Sequence, residues 1–437
     1  MLCDWRRAIS YSRFLSVRGI KRNKKPAWSW AFYDWANSAF ATLILTFVFS
    51  TYFSQSVSVD PVEGASRWSY AVSVSGLLLI FLGPLCGAIA DHTGRLKLWI
   101  FLSQLVCLGG TMLMVLGVPQ SETVTIFLVL AGLVLANVGF ELGIVFYNAL
   151  LPNVASSQDL GRVSSRAWAM GYAGGLLSLV LMLVLFIGIG GQTPFISLPK
   201  EGGWHVRMVV PFVILWFALF SLPLFLHVAD KPKTGIAAGA ALRRGWASLQ
   251  VAFANLKTDI KWRQFLIGSA LYRDGLNTLF AMGGIYAAQN YGLQISEVMM
   301  FGIGMNVTAG LGAFAASFIE DRFGSFRIVR ISLIGLLVTG SCILISDSKL
   351  MFFASALSLG LFVGPVQSAS RTLVSRLSNE NVITENYGLY ALTGRAAAFL
   401  GPFCYALATD VFQTQNAGIA TILLFWMLGL VLVRKLD

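Results

Sequence analysis

The chain has 437 residues, of which 56% are hydrophobic and 12% charged, with a mean hydropathy of +0.72. Soluble domains carry about 25% charged residues, so this balance excludes an ordinary water-soluble globule and points to a chain that folds in a bilayer. The net charge of +12 would suggest a nucleic-acid partner in a soluble protein, but here the basic residues are sorted by position, and no nucleic acid is expected.

Residues 1–27 form a basic segment without the apolar core or small-residue cleavage site of a signal peptide. It reads as a cytoplasmic tail drawn to anionic lipid, or else as a transit segment or a misassigned start. A membrane span needs about 20 residues of low polarity. Twelve such stretches follow, at 28–53, 67–90, 98–118, 123–148, 166–190, 207–228, 263–288, 296–319, 328–346, 350–370, 387–409 and 412–433. Single spans satisfy their own backbone only as helices, and the ten-residue alternation of barrel strands is absent from the sequence. The connections leave no room for a soluble catalytic domain, so the chain is not expected to be an enzyme.

Of the 32 Lys and Arg residues, 26 fall before span 1, after the even-numbered spans 2 to 10, or at the C-terminus. The alternate connections hold Arg67, Lys200, Arg207 and Lys349, and Arg273 and Arg395 lie inside spans. The positive-inside rule then puts both termini and the central loop in the cytoplasm, most simply of a bacterial inner or plasma membrane. Five scattered cysteines and three histidines in different loops or span ends offer no metal-ligand spacing, and no cofactor is expected.

The sequence also repeats itself. "DWANSAF" (Asp34 to Phe40) and "DGLNTLF" (Asp274 to Phe280) share D-x-x-N-[ST]-x-F at a shift of 240 residues. After span 2 comes "GAIADHTGRLK", with Gly87, Asp91, Gly94, Arg95 and Lys97; after span 8 comes "SFIEDRFGSFR", with Asp321, Arg322 and Gly324. These also match, at a shift of 230. The expected fold is therefore an all-α membrane protein of twelve transmembrane helices in two six-helix pseudo-repeats, 28–228 and 263–437. Residues 229–262 form a cytoplasmic linker, part of which has the periodicity of a surface helix. Duplicated six-span units place a substrate site near the midplane, between the halves.

"GAIADHTGRLK" resembles the G-x-x-x-D-x-x-G-R-x-K loop signature of the major facilitator superfamily. Gly87 and Gly94 permit close approach and a tight turn. Asp91 suits either a helix N-terminus or an arginine across the interface between the halves, as a gate or as an ordinary turn. With "FYNALLPNVA" (146–155), "GRVSSRAWAMGYAGG" (161–175), "YRDGLNTLFAMGGIYA" (272–287) and "ALTGRAAAFLGP" (391–402), the chain is similar to one branch of that superfamily. That branch includes the fungal vacuolar amino-acid effluxers of the autophagy pathway and bacterial relatives. The second loop motif departs from the first, starting at Ser317 where the first has Gly87.

Five ionisable residues lie within spans: Asp34, Glu141, Arg273, Asp274 and Arg395. Asp34 is about six residues into span 1, roughly 9 Å at 1.5 Å per residue, and the others lie at similar depth. A charge at the bilayer centre costs at least about 2.5–3.5 kcal/mol, so these groups are expected to face protein or water. The resemblance implies that spans 1, 4, 7 and 11 line a central cavity. Three acids and two arginines leave one carboxylate without a cation, and such a group binds protons more readily. Glu141 is read as that isolated acid and the proton carrier. Asp34 either faces the cavity or fixes packing; Arg395 faces a substrate carboxylate, Asp34 or Glu141; one of Arg273 and Asp274 makes a helix-to-helix contact. Asn37 and Asn277 are repeat-related amides suited to a zwitterionic solute or to each other.

The expected function is a monomeric secondary active transporter of a small polar solute, with protons as the second partner. Amino-acid efflux is what the resemblance implies. No G-x-x-x-x-G-K-[ST] loop suggests direct ATP use. The alternatives are a non-transporting sensor or scaffold and an intramembrane lipid-modifying enzyme.

Overall fold

The computed structural model describes residues 24–188, 193–230, 234, 236, 238–292, 295–379 and 381–434, and among them it contains helices and no strands. Residues 1–23 of the basic tail lie outside the described residues. Helix is what the bilayer demands, since water is not there to satisfy free amides. The spans are α1 (Lys25–Ala39), α2 (Pro61–Thr93), α3 (Leu96–Leu113), α4 (Thr123–Ala149), α5 (Leu160–Met182) and α6 (Val209–His227). After the linker helix α7 (Ala238–Thr258) come α8 (Ile260–Tyr291), α9 (Ile295–Phe323), α10 (Ser325–Leu344) and α11 (Lys349–Leu377). The chain closes with α12 (Ile383–Ala397), α13 (Leu400–Phe412) and α14 (Gln415–Arg434). Span 1 continues past α1 through wider π-helical turns, Phe40–Phe47 and Phe53–Val57.

Ten helical segments among the described residues are long and apolar enough to cross a membrane. The two expected spans outside that set are informative. Span 7 is the continuous helix α8, made more polar by residues such as Arg273 and Asp274. Span 11 is not one helix, as expected from the sequence, but α12 and α13, of 15 and 13 residues, separated at Ala398 and Phe399. Pro402 explains the position of the break. It has no amide to donate to the carbonyl four residues earlier, that of Ala398.

Within the first half α1 packs on α5 and α6, and α4 on α2 and α3; within the second, α9 and α10 pack on α11, and α8 and α10 on α14. The halves meet along two principal crossings, α2 with α12 and α5 with α9. The first is very close. A Cβ built on Gly87 would lie 2.7 Å from the Thr384 carbonyl oxygen, and one on Gly388 would lie 2.7 Å from that of Gly83. Helix α7 lies against α2, with Gly245 set over Ala88 and Ile89.

Several helices run past the apolar stretches that announced them. Span 10, expected at 350–370, extends to Leu377; span 8, expected to end at 319, extends to Phe323; span 5, expected from 166, starts at Leu160. Each extension carries polar residues that face the opposite half rather than water. The face where these extensions lie also carries the basic connections, and is called the basic face below.

A paired substitution tests the crossing. Gly76, on the same helix as Gly87, has nothing within 4 Å of an added Cβ. Gly76→Ala should be neutral or stabilising by roughly 0.5–1 kcal/mol, while Gly87→Ala should destabilise by about 1–3 kcal/mol through overpacking against backbone. Thermal unfolding midpoints of the purified variants in detergent check the difference in sign.

Candidate functional site

The first turn of a helix leaves backbone amides without partners, and a carboxylate is the best available acceptor for them. Helix α12 starts with Val382 at its cap position, which makes no side-chain capping bond. Asp91, from the end of α2 in the other half, supplies it. Its Oδ2 accepts from the Glu385 amide at 2.9 Å and its Oδ1 from the Thr384 hydroxyl at 2.6 Å.

The repeat does the same in reverse. Helix α5 begins after Asp159, which also makes no capping bond and instead meets Ser156 and Arg162. Asp321, from the end of α9, accepts from the amides of Gly161 and Arg162, both at 2.8 Å. It also receives Arg376 at 3.0 Å. Span 2 thus caps span 11, and span 8 caps span 5.

The rest of each loop motif shapes these ends. Gly94 and Arg95 adopt left-handed φ values of 69° and 59°, and Arg95 is exposed. Lys97 donates from Nζ to the Val228 carbonyl at 2.9 Å, closing the end of α6, and its amide meets Asp230 at 3.1 Å. Gly324 turns the chain with φ 88°, and Arg322 is exposed beside the Phe323 ring.

Deeper than the caps, Asp34 pairs with Arg371, Nη1 to Oδ2 at 2.8 Å. Arg371 is 4% exposed. Its Nε donates to the Ser164 hydroxyl at 2.9 Å, and its guanidinium lies 4.9, 5.8 and 5.6 Å from the ring centres of Trp30, Tyr147 and Trp168. The sequence reading counted Arg371 as loop charge because the apolar stretch stops at 370; the helix and the burial continue. Fully buried Glu320 was missed for the same reason. It accepts from Ser165 in the other half at 2.7 Å and from Ser325 at 2.8 Å. The Ser165 hydroxyl also lies 2.9 Å from that of Ser368.

Glu141 on α4 forms an ion pair with Arg395 on α12. The expectation of Glu141 as the isolated acid is therefore corrected: Asp34 holds Arg371 and Glu141 holds Arg395 across the interface between the halves. Like Glu320, which serines hold, Asp274 makes no ion pair with an arginine among the described residues. It is fully buried, and its Oδ2 accepts from the Gly401 amide at 2.7 Å, capping α13 just past the break in span 11. Arg273 donates to the Tyr390 carbonyl at 3.0 Å and lies 4.1 Å from that ring centre. It thus pins α8 to α12. The five charges expected at similar depth are divided among four separate contacts. The repeated amides differ too, since Asn37 is buried and Asn277 exposed.

On the far side of these contacts, toward the opposite face, a cleft of about 250 Å³ opens in the first half, with one residue of the second half at its edge. Thr51 and Gln55 of span 1, Leu179 and Leu183 of span 5, and Ile303 of α9 line it. The described conformation is closed at the basic face.

The comparisons agree with this architecture. The family model described as "Vacuole effluxer Atg22 like" matches residues 56–437. The uncharacterized MFS-type transporter YxiO of Bacillus subtilis is 23% identical over 424 residues, covering 95% of each chain. Autophagy-related protein 22 of Cryptococcus neoformans is 22% identical over 277 residues, 58% of this chain and 48% of that one. This chain thus spans about half the length of the fungal relative. Among solved structures, the transporter FucP in its outward conformation superposes with a TM-score of 0.74 at 13% identity, covering 95% of this chain and 99% of that one. A bacterial homologue of the iron transporter ferroportin, outward-facing, gives 0.70 at 15%, covering 94% and 98%.

If the reciprocal caps hold the basic face shut, their charge matters. Asp91→Asn with Asp321→Asn should each shift the balance toward opening by roughly 1–2 kcal/mol. Spin labels at Ser157 and Asn379, on loops of opposite halves, should then show longer distances by double electron–electron resonance. An unchanged distribution would assign closure to packing alone.

Proposed function

The chain belongs to the Atg22-like vacuole-effluxer family of the major facilitator superfamily, an integral multi-pass secondary transporter, and on that premise we propose that it exports small polar solutes, amino acids among them, in exchange for protons. The observation that carries this reading is the reciprocal capping of α12 by Asp91 and of α5 by Asp321. One capping device is used twice, once in each direction across the interface between the halves. Rocking the halves apart at the basic face breaks both caps together and exposes the site to that side, which we read as cytoplasmic from the excess of Lys and Arg there.

Proton coupling follows from the ion pairs. Asp34 and Glu141 belong to the first half, Arg371 and Arg395 to the second. Opening the basic face separates each carboxylate from its cation, and a buried charge that loses its partner costs about 3–5 kcal/mol. Taking up a proton, or a solute cation, removes that cost. Protonation and opening are therefore linked, as exchange of a solute for protons requires.

Uptake into liposomes containing the purified protein, screened over amino acids with an imposed pH gradient, tests this. Gradient-driven accumulation of at least one polar solute is expected; none with any member of the screen would overturn the reading. Glu141→Gln should reduce driven accumulation roughly tenfold or more while equilibrium exchange survives, since an amide neither titrates nor pairs with Arg395 as an ion. For Asp34→Asn, normal folding with lost driven transport is expected, read by size-exclusion profile and flux.

A further inference from the structure

Arg371 is a side chain of the second half, yet the groups that hold its guanidinium belong to the first. Asp34 and Trp30 come from α1, Tyr147 and Asn148 from α4, and Ser164 and Trp168 from α5. Together they make a box of three aromatic faces with a carboxylate at one side and neutral oxygen acceptors at another. Aromatic faces with a carboxylate recognise cations, and the acceptors match the several N–H donors of a guanidinium. The rings are fixed by their own packing. Trp30 stacks on Tyr147 with centres 4.4 Å apart and donates from its indole N–H to the Tyr147 carbonyl at 2.9 Å. Tyr147 stacks in turn on Tyr33 at 4.8 Å. The box therefore does not depend on Arg371 for its shape. It also holds a spare donor: the Trp168 indole N–H is buried with no hydrogen-bond partner among the described residues.

We propose that this box is the transporter's binding site for a cationic group of the solute, a guanidinium or ammonium, and that Arg371 is a tethered stand-in for it. The inference rests on the alternating-access reading and names the solute class. When the halves part at the basic face, Arg371 leaves with α11 and Asp34 is left among aromatic rings without a cation. A solute cation from the cytoplasmic side then occupies the place that the guanidinium held, with a solute acceptor beside it meeting the Trp168 N–H. A proton on Asp34 is the alternative occupant. Solute and proton thus compete for one carboxylate, which is the elementary requirement for exchange. In the closed state the stand-in fills the site, so the apparent affinity for a free cation falls in proportion to the fraction of protein with the box vacant.

Methylguanidinium chloride is the probe, with tetramethylammonium chloride to separate hydrogen-bonded from purely aromatic recognition. Binding is read by calorimetry and tryptophan fluorescence on wild type, on the Asp91→Asn, Asp321→Asn double variant, and on that variant with Asp34→Asn. The double variant should bind at least tenfold more tightly than wild type, lose binding when Asp34→Asn is added, and bind more weakly as pH falls. Flat, Asp34-independent binding would show Arg371 to be a gate contact only and overturn the proposal. As a second measurement, methylguanidinium should raise the melting temperature of Arg371→Ala by several degrees more than that of wild type; equal shifts count against the box. The pattern without transport of any solute would preserve the cation site and sink the transport reading. Transport of neutral solutes with flat binding would do the reverse.

Discussion

A helix whose start is packed against another helix cannot leave its first amides bare, because each unmet buried donor is costly. Among the described helices that begin without a capping side chain of their own, three take a carboxylate from another helix. Asp91 serves α12, Asp321 serves α5, and Asp274 serves α13. Much of the rest follows from these debts. Two of the caps cross between the halves and hold the basic face together; the third stays inside one half and sets how span 11 is broken.

Around the two crossing caps the polar groups are arranged in depth. The caps lie outermost, then the Asp34–Arg371 pair with the serines of α5 and α11 and the buried Glu320, then Glu141 with Arg395. Helix α12 is the common member. It receives Asp91 at its start, offers Arg395 to α4, and is pinned to α8 by Arg273 through Tyr390. What the set can do is exchange partners, and that is transport chemistry.

Much of the architecture was legible in the sequence. Apolar length gave the spans, and the duplicated D-x-x-G loops marked both crossing caps, the aspartate as an acceptor and the glycine as the positive-φ turn that ends the helix. Asp34, Glu141 and Arg395 stood out as charges in oil. Arg371, Glu320 and Ser164 did not, for one physical reason. Hydropathy marks where side chains turn polar, not where a helix ends. At the basic face the helices continue past the apolar stretch, and their polar residues face one another. The D-x-x-N-[ST]-x-F repeat also misled in part. Asp34 and Asp274 share a position but not an environment, since one meets an arginine of the other half and the other meets the backbone end of its own half.

The interruption at Ala398 and Phe399 carries a mechanical implication. Below it, α12 meets the first half through Asp91 and Glu141; above it, α13 is anchored to α8 by Asp274. A rod jointed at that level yields locally when its lower end is pulled. The second bundle therefore has one level at which span 11 can bend without giving up hydrogen bonds elsewhere along its length.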